Sequence, residues 1–121
     1  MKKTFRDLVV WQKAHKLVLR TYEYTKTFPQ EERYGLTSDL RRAVRSVATN
    51  LVEGYKRKGY HDALRFFNYS SASLVEVEYH TILAQDLGYL TKAEANELKE
   101  LQVEVGKMLT TWQKNYRPKY H

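Results

Sequence analysis

The sequence predicts an all-α protein, folded as an antiparallel up-down-up-down four-helix bundle. Three observations predict it. Apolar residues recur at three- and four-residue steps through four long windows, the signature of one buried helix face. Short segments rich in helix-stopping or helix-starting residues separate the windows: Pro29–Leu36, Lys56–Tyr60 and Gly88–Thr91. Connections that short make consecutive helices antiparallel neighbours. The 121 residues suit one domain around one core, spanning 1–121. There is no internal repeat, low-complexity tract or linker.

Helix 1 is expected from Thr4 or Asp7 to Thr27. Trp11, Val18 and Tyr22 mark one apolar line, and Val10, Leu17, Tyr24 and Phe28 mark a second beside it. A narrow polar strip with Lys13, Lys16 and Arg20 is left. Phe28 ends the pattern, and Pro29 has no amide hydrogen with which to continue a helix. Gly35 is expected to take a backbone angle that other residues avoid. Thr37 or Ser38 would then cap helix 2, expected over Thr37–Tyr55, through a side-chain oxygen. Its core face is Leu40, Ala43, Val44, Val47 and Leu51. Ser46 and Asn50 flank that face and suit close helix approach or a hydrogen bond across it.

Helix 3 is expected over His61–Leu87, with Phe67, Leu74, Val77 and Ile82 on its main face. Tyr69, Tyr79, Leu83 and Leu87 lie towards the other side. Ser70, Ser71 and Ser73 read as small packing residues. Gly88 suits the left-handed position after a helix, and Thr91 with Glu94 forms a capping box for helix 4, expected over Lys92–Tyr116. Leu98, Leu101, Val105, Met108, Leu109 and Trp112 make a clean stripe there. Residues 1–3 and 117–121 are expected to be frayed tails.

The segment Phe28–Gly54 also carries a family pattern: Phe28, Pro29, Glu32, Tyr34, Gly35, Leu36, Thr37, Leu40, Arg41, Arg42, Ala43, Ser46, Val47, Asn50, Leu51, Glu53 and Gly54. It resembles the four-helix-bundle proteins encoded by intervening sequences of bacterial 23S ribosomal RNA. Phe5, Asp7, Leu8, Trp11 and Ala14 extend the resemblance upstream. Ser73, Leu74, Glu76, Glu78 and the Leu87–Leu90 turn extend it downstream. Asp39 departs from a usual Gln. Ala48 departs from a usual Pro, which removes a possible kink from helix 2. The resemblance implies an all-α bundle that assembles into a ring-like homo-oligomer, a pentamer, with no known catalytic activity. The accessory proteins of diversity-generating retroelements look related, and they bind nucleic acid and a reverse transcriptase. Family likeness of this kind guides fold better than function.

Composition narrows the function classes. Twenty-one Lys and Arg against fourteen Asp and Glu give a net charge of +7. That favours phosphate backbones or anionic surfaces, with solubility alone as the plain alternative. The excess is uneven: residues 1–65 carry +8 and residues 66–121 carry −1. The absence of cysteine excludes disulfides, thiolate zinc sites and thiol nucleophiles. No apolar core follows Met1-Lys2-Lys3, and no window approaches the roughly 18 apolar residues of a membrane span. A soluble cytoplasmic protein is expected.

Arg41, Arg45 and Lys56 project along one side of helix 2, and Lys56, Arg57 and Lys58 form a basic loop. Lys13, Lys16 and Arg20 add a near-register row on helix 1. These eight are the candidate contacts to RNA or DNA phosphates. The competing reading is a solvated face, with the loop cations offsetting the helix 2 dipole. Glu78 shares a helical line with Phe67 and Leu74, so it needs a partner. Arg41 or Arg42 of helix 2 is the candidate, and a structural ion pair of Arg42 with Glu78 is expected, in preference to a perturbed acid or base in a cleft. Wide apolar faces on helices 1 and 3, and ten tyrosines, suggest self-association through Leu17, Tyr24, Tyr69, Tyr79 and Leu83.

Nothing in the pattern calls for catalysis, a cofactor or a metal. Glu76 and His80 are four apart and no Glu-x-x-His pair occurs. His15 and His61 are isolated, and there is no glycine-rich phosphate loop. The expected function is a non-enzymatic homo-oligomer whose basic surface contacts RNA or another nucleic acid. The alternative is a scaffold that binds only proteins, itself included.

Overall fold

A computed structural model describes residues 2–115. The expected end of helix 4 at Tyr116, residue 1 and the 117–121 tail lie outside those residues. Four helices follow one another: α1 Val9–Thr25, α2 Leu36–Lys56, α3 Tyr60–Asp86 and α4 Lys92–Asn115. Single 3-10 turns, Phe5–Asp7 and Gln30–Glu32, precede α1 and α2. Each helix packs on its neighbour in sequence, and α4 closes against α1. The result is the expected up-down bundle. The α1–α2 and α3–α4 connections sit at one end, here the upper. The chain start, the α2–α3 connection and the end of α4 sit at the lower end.

Leu17, Leu40, Leu51, Phe67, Leu98 and Leu109 are the largest side chains wholly removed from solvent. Each contributes roughly 1.5–3 kcal/mol by burial. On α1 the buried line is Val10, Ala14, Leu17, Thr21 and Thr25. It runs between the two expected lines, and Trp11, Val18, Tyr22 and Tyr24 pack beside it, half buried. Leu17 is therefore core, 0% exposed, and not part of an outer interface. On α3 the buried line takes in Ala63, Phe67, Ser70, Leu74, Val77, Thr81 and Ala84, which leaves Ile82 58% exposed.

Small polar residues let α2 and α3 approach closely. Ser70 Oγ donates to the Val47 carbonyl at 2.7 Å, and the Ser46 and Ser73 hydroxyls bond at 2.8 Å. Asn50 Nδ2 reaches back to the carbonyl and hydroxyl of Ser46, both at 2.9 Å. Lower down, a Cβ on Gly54 would stand 2.2 Å from Cε1 of Phe67, so only glycine fits under the ring. That ring also meets Trp112 edge to face, centroids 4.2 Å apart.

The ends are capped in distinct ways. Thr91 and Glu94 form the expected box: the Thr91 amide donates to Glu94 Oε1 at 2.9 Å and the Glu94 amide to Thr91 Oγ1 at 3.1 Å. Gly88 has φ +80, and the amides of Gly88 and Tyr89 return to the Gln85 and Ala84 carbonyls, a Schellman close for α3. The start of α2 differs from expectation. Neither Thr37 nor Ser38 caps it, and Gly35 keeps a negative φ of −111. The preceding 3-10 turn instead swings Glu32 over the helix end, where Oε1 accepts the Leu36 amide at 3.1 Å. A carboxylate there also meets the positive end of the helix dipole.

Candidate nucleic-acid interface

The eight candidate cations do not form one stripe. They fall into three groups, because α1 is rotated about the new core line. Lys13 and Arg20 point towards α4. Lys13 Nζ pairs with Glu104 at 2.9 Å, and Arg20 with Glu97 at 3.0 Å and Glu23 at 3.4 Å. Tyr24, expected at an outer interface, joins this seam and donates its phenol proton to Glu97. That hydrogen bond, with burial and the nearby carboxylate charge, pushes the Tyr24 phenol up to about 12. Lys16 is exposed on the outer side of α1.

Arg41 and Arg45 lie across α1 from that seam, against Tyr22. Arg41 Nε donates to Thr25 Oγ1 at 2.8 Å and its Nη2 to the Tyr22 carbonyl at 3.3 Å. Its guanidinium also lies 4.6 Å from the Tyr22 ring centre. Those contacts make Arg41 a clamp between α1 and α2. Arg45 bonds the Tyr22 hydroxyl and is otherwise exposed. It borders an open groove of about 550 Å³ with Val18, Leu19, Glu23 and Lys26.

The third group is the α2–α3 connection. Arg57 is drawn inward over the Phe66 ring, 4.4 Å from its centre, between Glu53 and Asp62 at 3.7 and 3.8 Å. Lys56 and Lys58 flank it in sequence, are exposed and form no ion pair among the described residues. Four further cations share this end but were not in the expected set. Lys2, Lys3 and Arg6 precede α1, which runs antiparallel to α2 and so begins beside its last turn. Lys107, on the last part of α4, lines a groove with Asp7–Val10. Antiparallel topology is the signal that could have found them, since it returns the chain start to the end of helix 2.

The expected Arg42–Glu78 pair does not form. Arg42 is exposed and pairs with Asp39, one turn back on its own helix, at 2.9 Å. Glu78 is exposed on α3, at the mouth of a shallow α3–α4 cleft of about 240 Å³ with Lys99, Gln85 and Gln102. The core-facing polar role belongs to Gln102, which donates to Thr81 Oγ1 at 2.9 Å. Of the other expected interface residues, Tyr69 and Tyr79 are exposed, while Leu83 is half buried against the core. Val75 and Ile82 extend the exposed α3 face, and Val103 of α4 lies beside Ile82 in the cleft. Among the described residues, no three His, Cys, Asp or Glu gather as a metal site, and no helix is long and apolar enough to cross a membrane.

Comparison with known proteins follows the fold. Residues 6–111 match the family described as 23S rRNA-intervening sequence protein. The backbone is similar to the crystal structure of a protein with unknown function from the S23 ribosomal protein family of Bacteroides thetaiotaomicron. The TM-score is 0.79 at 19% identity, over 88% of this chain and 100% of that one. No curated protein matches.

Proposed function

The chain belongs to the 23S rRNA-intervening sequence protein family, and on that premise we propose that it is a non-enzymatic, self-associating bundle whose basic surface contacts RNA or another nucleic acid through phosphates. The observation that carries the reading is uncompensated charge. The chain holds +7, and Lys16, Lys56 and Lys58 stand exposed outside every ion pair of the described residues. Such cations release counterions from a phosphate backbone without reading bases. Lys13, Arg20, Arg41 and Arg57 serve mainly to hold helices together, and Arg45 stands between the two roles.

Self-association is supported by the exposed α3 face of Tyr69, Val75, Tyr79 and Ile82, and by Val9 and Leu19 on α1. These helices stand diagonally across the bundle, so the two patches face away from each other. Two different patches suit a heterologous contact, the kind that closes rings. A pentameric ring, as the resemblance implies, would repeat the weak phosphate contacts and add avidity. The cytoplasm is the setting this reading requires. A link to retroelement accessory proteins rests on sequence likeness alone.

The same apolar patches support the second reading, a scaffold that binds only proteins. Light-scattering mass, with and without a mixed RNA pool across a salt series, separates the two. The proposal expects an oligomer that gains RNA at low salt and releases it at high salt. An oligomer that ignores RNA at every salt would leave the scaffold; a monomer would remove the self-association.

A further inference from the structure

The bundle is electrically lopsided along its axis. The three segments gathered at the lower end, residues 2–8, 53–65 and 107–115, hold nine Lys and Arg against three Asp and Glu. The upper end, residues 23–42 and 84–97, holds five against seven. Direct contacts bring the lower segments together. Gly54 underlies Phe67, Phe67 meets Trp112, and Trp112 and Lys107 share a groove with Asp7–Val10.

The three lower carboxylates are already engaged. Asp7 accepts the Thr4 amide at 2.8 Å. Glu53 faces Arg57, and Asp62 lies between Arg57 and Arg65, 2.6 Å from the latter. Two arginines thus take up the local negative charge. Lys2, Lys3, Arg6, Lys56, Lys58 and Lys107 are exposed and form no ion pair among the described residues. The starts of α1 and α3 meet the ends of α2 and α4 here, so the helix dipoles offset one another and the side-chain cations set the potential.

We propose that this lower end is the nucleic-acid contact surface, a cap on which Lys3, Arg6, Lys58 and Lys107 hold the phosphodiester backbone of RNA. The proposal rests on the nucleic-acid reading above and moves its centre from the α1–α2 flank to the bundle end. Three separate chain segments supply the cations, so the charge is spread across the width of the bundle. Arg57 is pinned by Phe66 and two carboxylates, which leaves Lys56 and Lys58 as the exposed cations of this loop. A lipid surface is the poorer fit. Membrane-binding faces pair cations with a row of exposed apolar side chains, and at this end the exposed large apolar side chains reduce to Val9 at the start of α1.

The test compares two variants of the full chain with the same charge change. One carries Lys3→Gln, Arg6→Gln, Lys58→Gln and Lys107→Gln. The other carries Lys26→Gln, Arg33→Gln, Lys92→Gln and Lys99→Gln, all exposed and away from the lower end. The probe is a labelled single-stranded RNA of about 16 nucleotides, read by fluorescence anisotropy from about 50 to 200 mM salt. The end variant is expected to lose affinity at least about tenfold and to lower the salt slope by about 3, while the control changes less than about threefold. Equal loss in both variants would overturn the end location and leave nucleic-acid binding standing. No RNA binding by the unmodified protein would remove both. Binding to phosphatidylglycerol vesicles without RNA binding would overturn the proposal in favour of a membrane. Circular dichroism melts matching the parent in both variants are the folding control.

Discussion

The ring of Phe67 fills the space that a side chain on Gly54 would need, with Cε1 2.2 Å from an ideal Cβ. The ring is fully buried and also packs edge to face on Trp112, so it has little room to yield. Gly54→Ala is expected to destabilise the bundle by about 1–3 kcal/mol through overpacking. In an unpacked helix the same change would add up to about 1 kcal/mol. A urea titration decides between them: the expected result is a lower midpoint at unchanged slope. A raised midpoint would mean that α2 and α3 stand further apart.

Arg41 and Arg42 are adjacent in sequence and opposite in role. Arg41→Met removes two hydrogen bonds and a ring contact that tie α2 to α1. A loss of about 1.5–3 kcal/mol is expected, the range for hydrogen bonds to a charged group. Arg42→Met breaks only an exposed pair with Asp39 and is expected to change stability by less than about 0.5 kcal/mol. Thermal melts of the two variants side by side check the contrast.

Tyr24 makes the α1–α4 seam sensitive to alkali. Its phenol, hydrogen-bonded to Glu97, is raised from 10.0 to about 12. A proton held more tightly in the folded state stabilises it below the unfolded value. That contribution is lost as pH climbs through the folded value. Tyr24→Phe is therefore expected to flatten the alkaline fall in stability between pH 10 and about 12, relative to the parent. Urea midpoints across that window read the difference. Parallel curves would show that the phenol is not held by Glu97.

The α3 face can be tested without touching the core. Val75 and Ile82 are 63% and 58% exposed, so Val75→Glu with Ile82→Glu should fold normally. If copies meet through this face, the double variant is expected to lower the light-scattering mass to that of one chain. An unchanged oligomer would move the interface elsewhere.

Much of the fold was legible because helix signals are local. The Thr91–Glu94 box lies where expected, and the described helix boundaries of α2 and α3 fall within one residue of the expected ones. The centre of the α1 core face was not. Ala14, Thr21 and Thr25 lie on it, yet small and hydroxyl side chains carry little apolar signal, so the larger residues beside them drew the line. Ile82 misled in the opposite sense, as an apolar residue left outside. That rotation of α1 then split the expected stripe, sending Lys13 and Arg20 to α4 while Arg41 and Arg45 met Tyr22. The Glu32 cap was hidden for another reason. Its carboxylate works only because a 3-10 turn places it over Leu36, and Tyr89, far along the chain, donates to its other oxygen at 3.0 Å.

Only Arg57–Gly59 separates α2 from α3, the pair with the deepest packing. A loop that short closes at little entropic cost, so this hairpin should organise early in folding. Helix α1 is made before both of the helices it packs on, α2 and the more distant α4. The part of its buried face that meets α4 must therefore wait, uncovered, until α4 has emerged. Aggregation and chaperone capture during synthesis should centre on α1, although nothing in the finished fold marks it as the vulnerable helix.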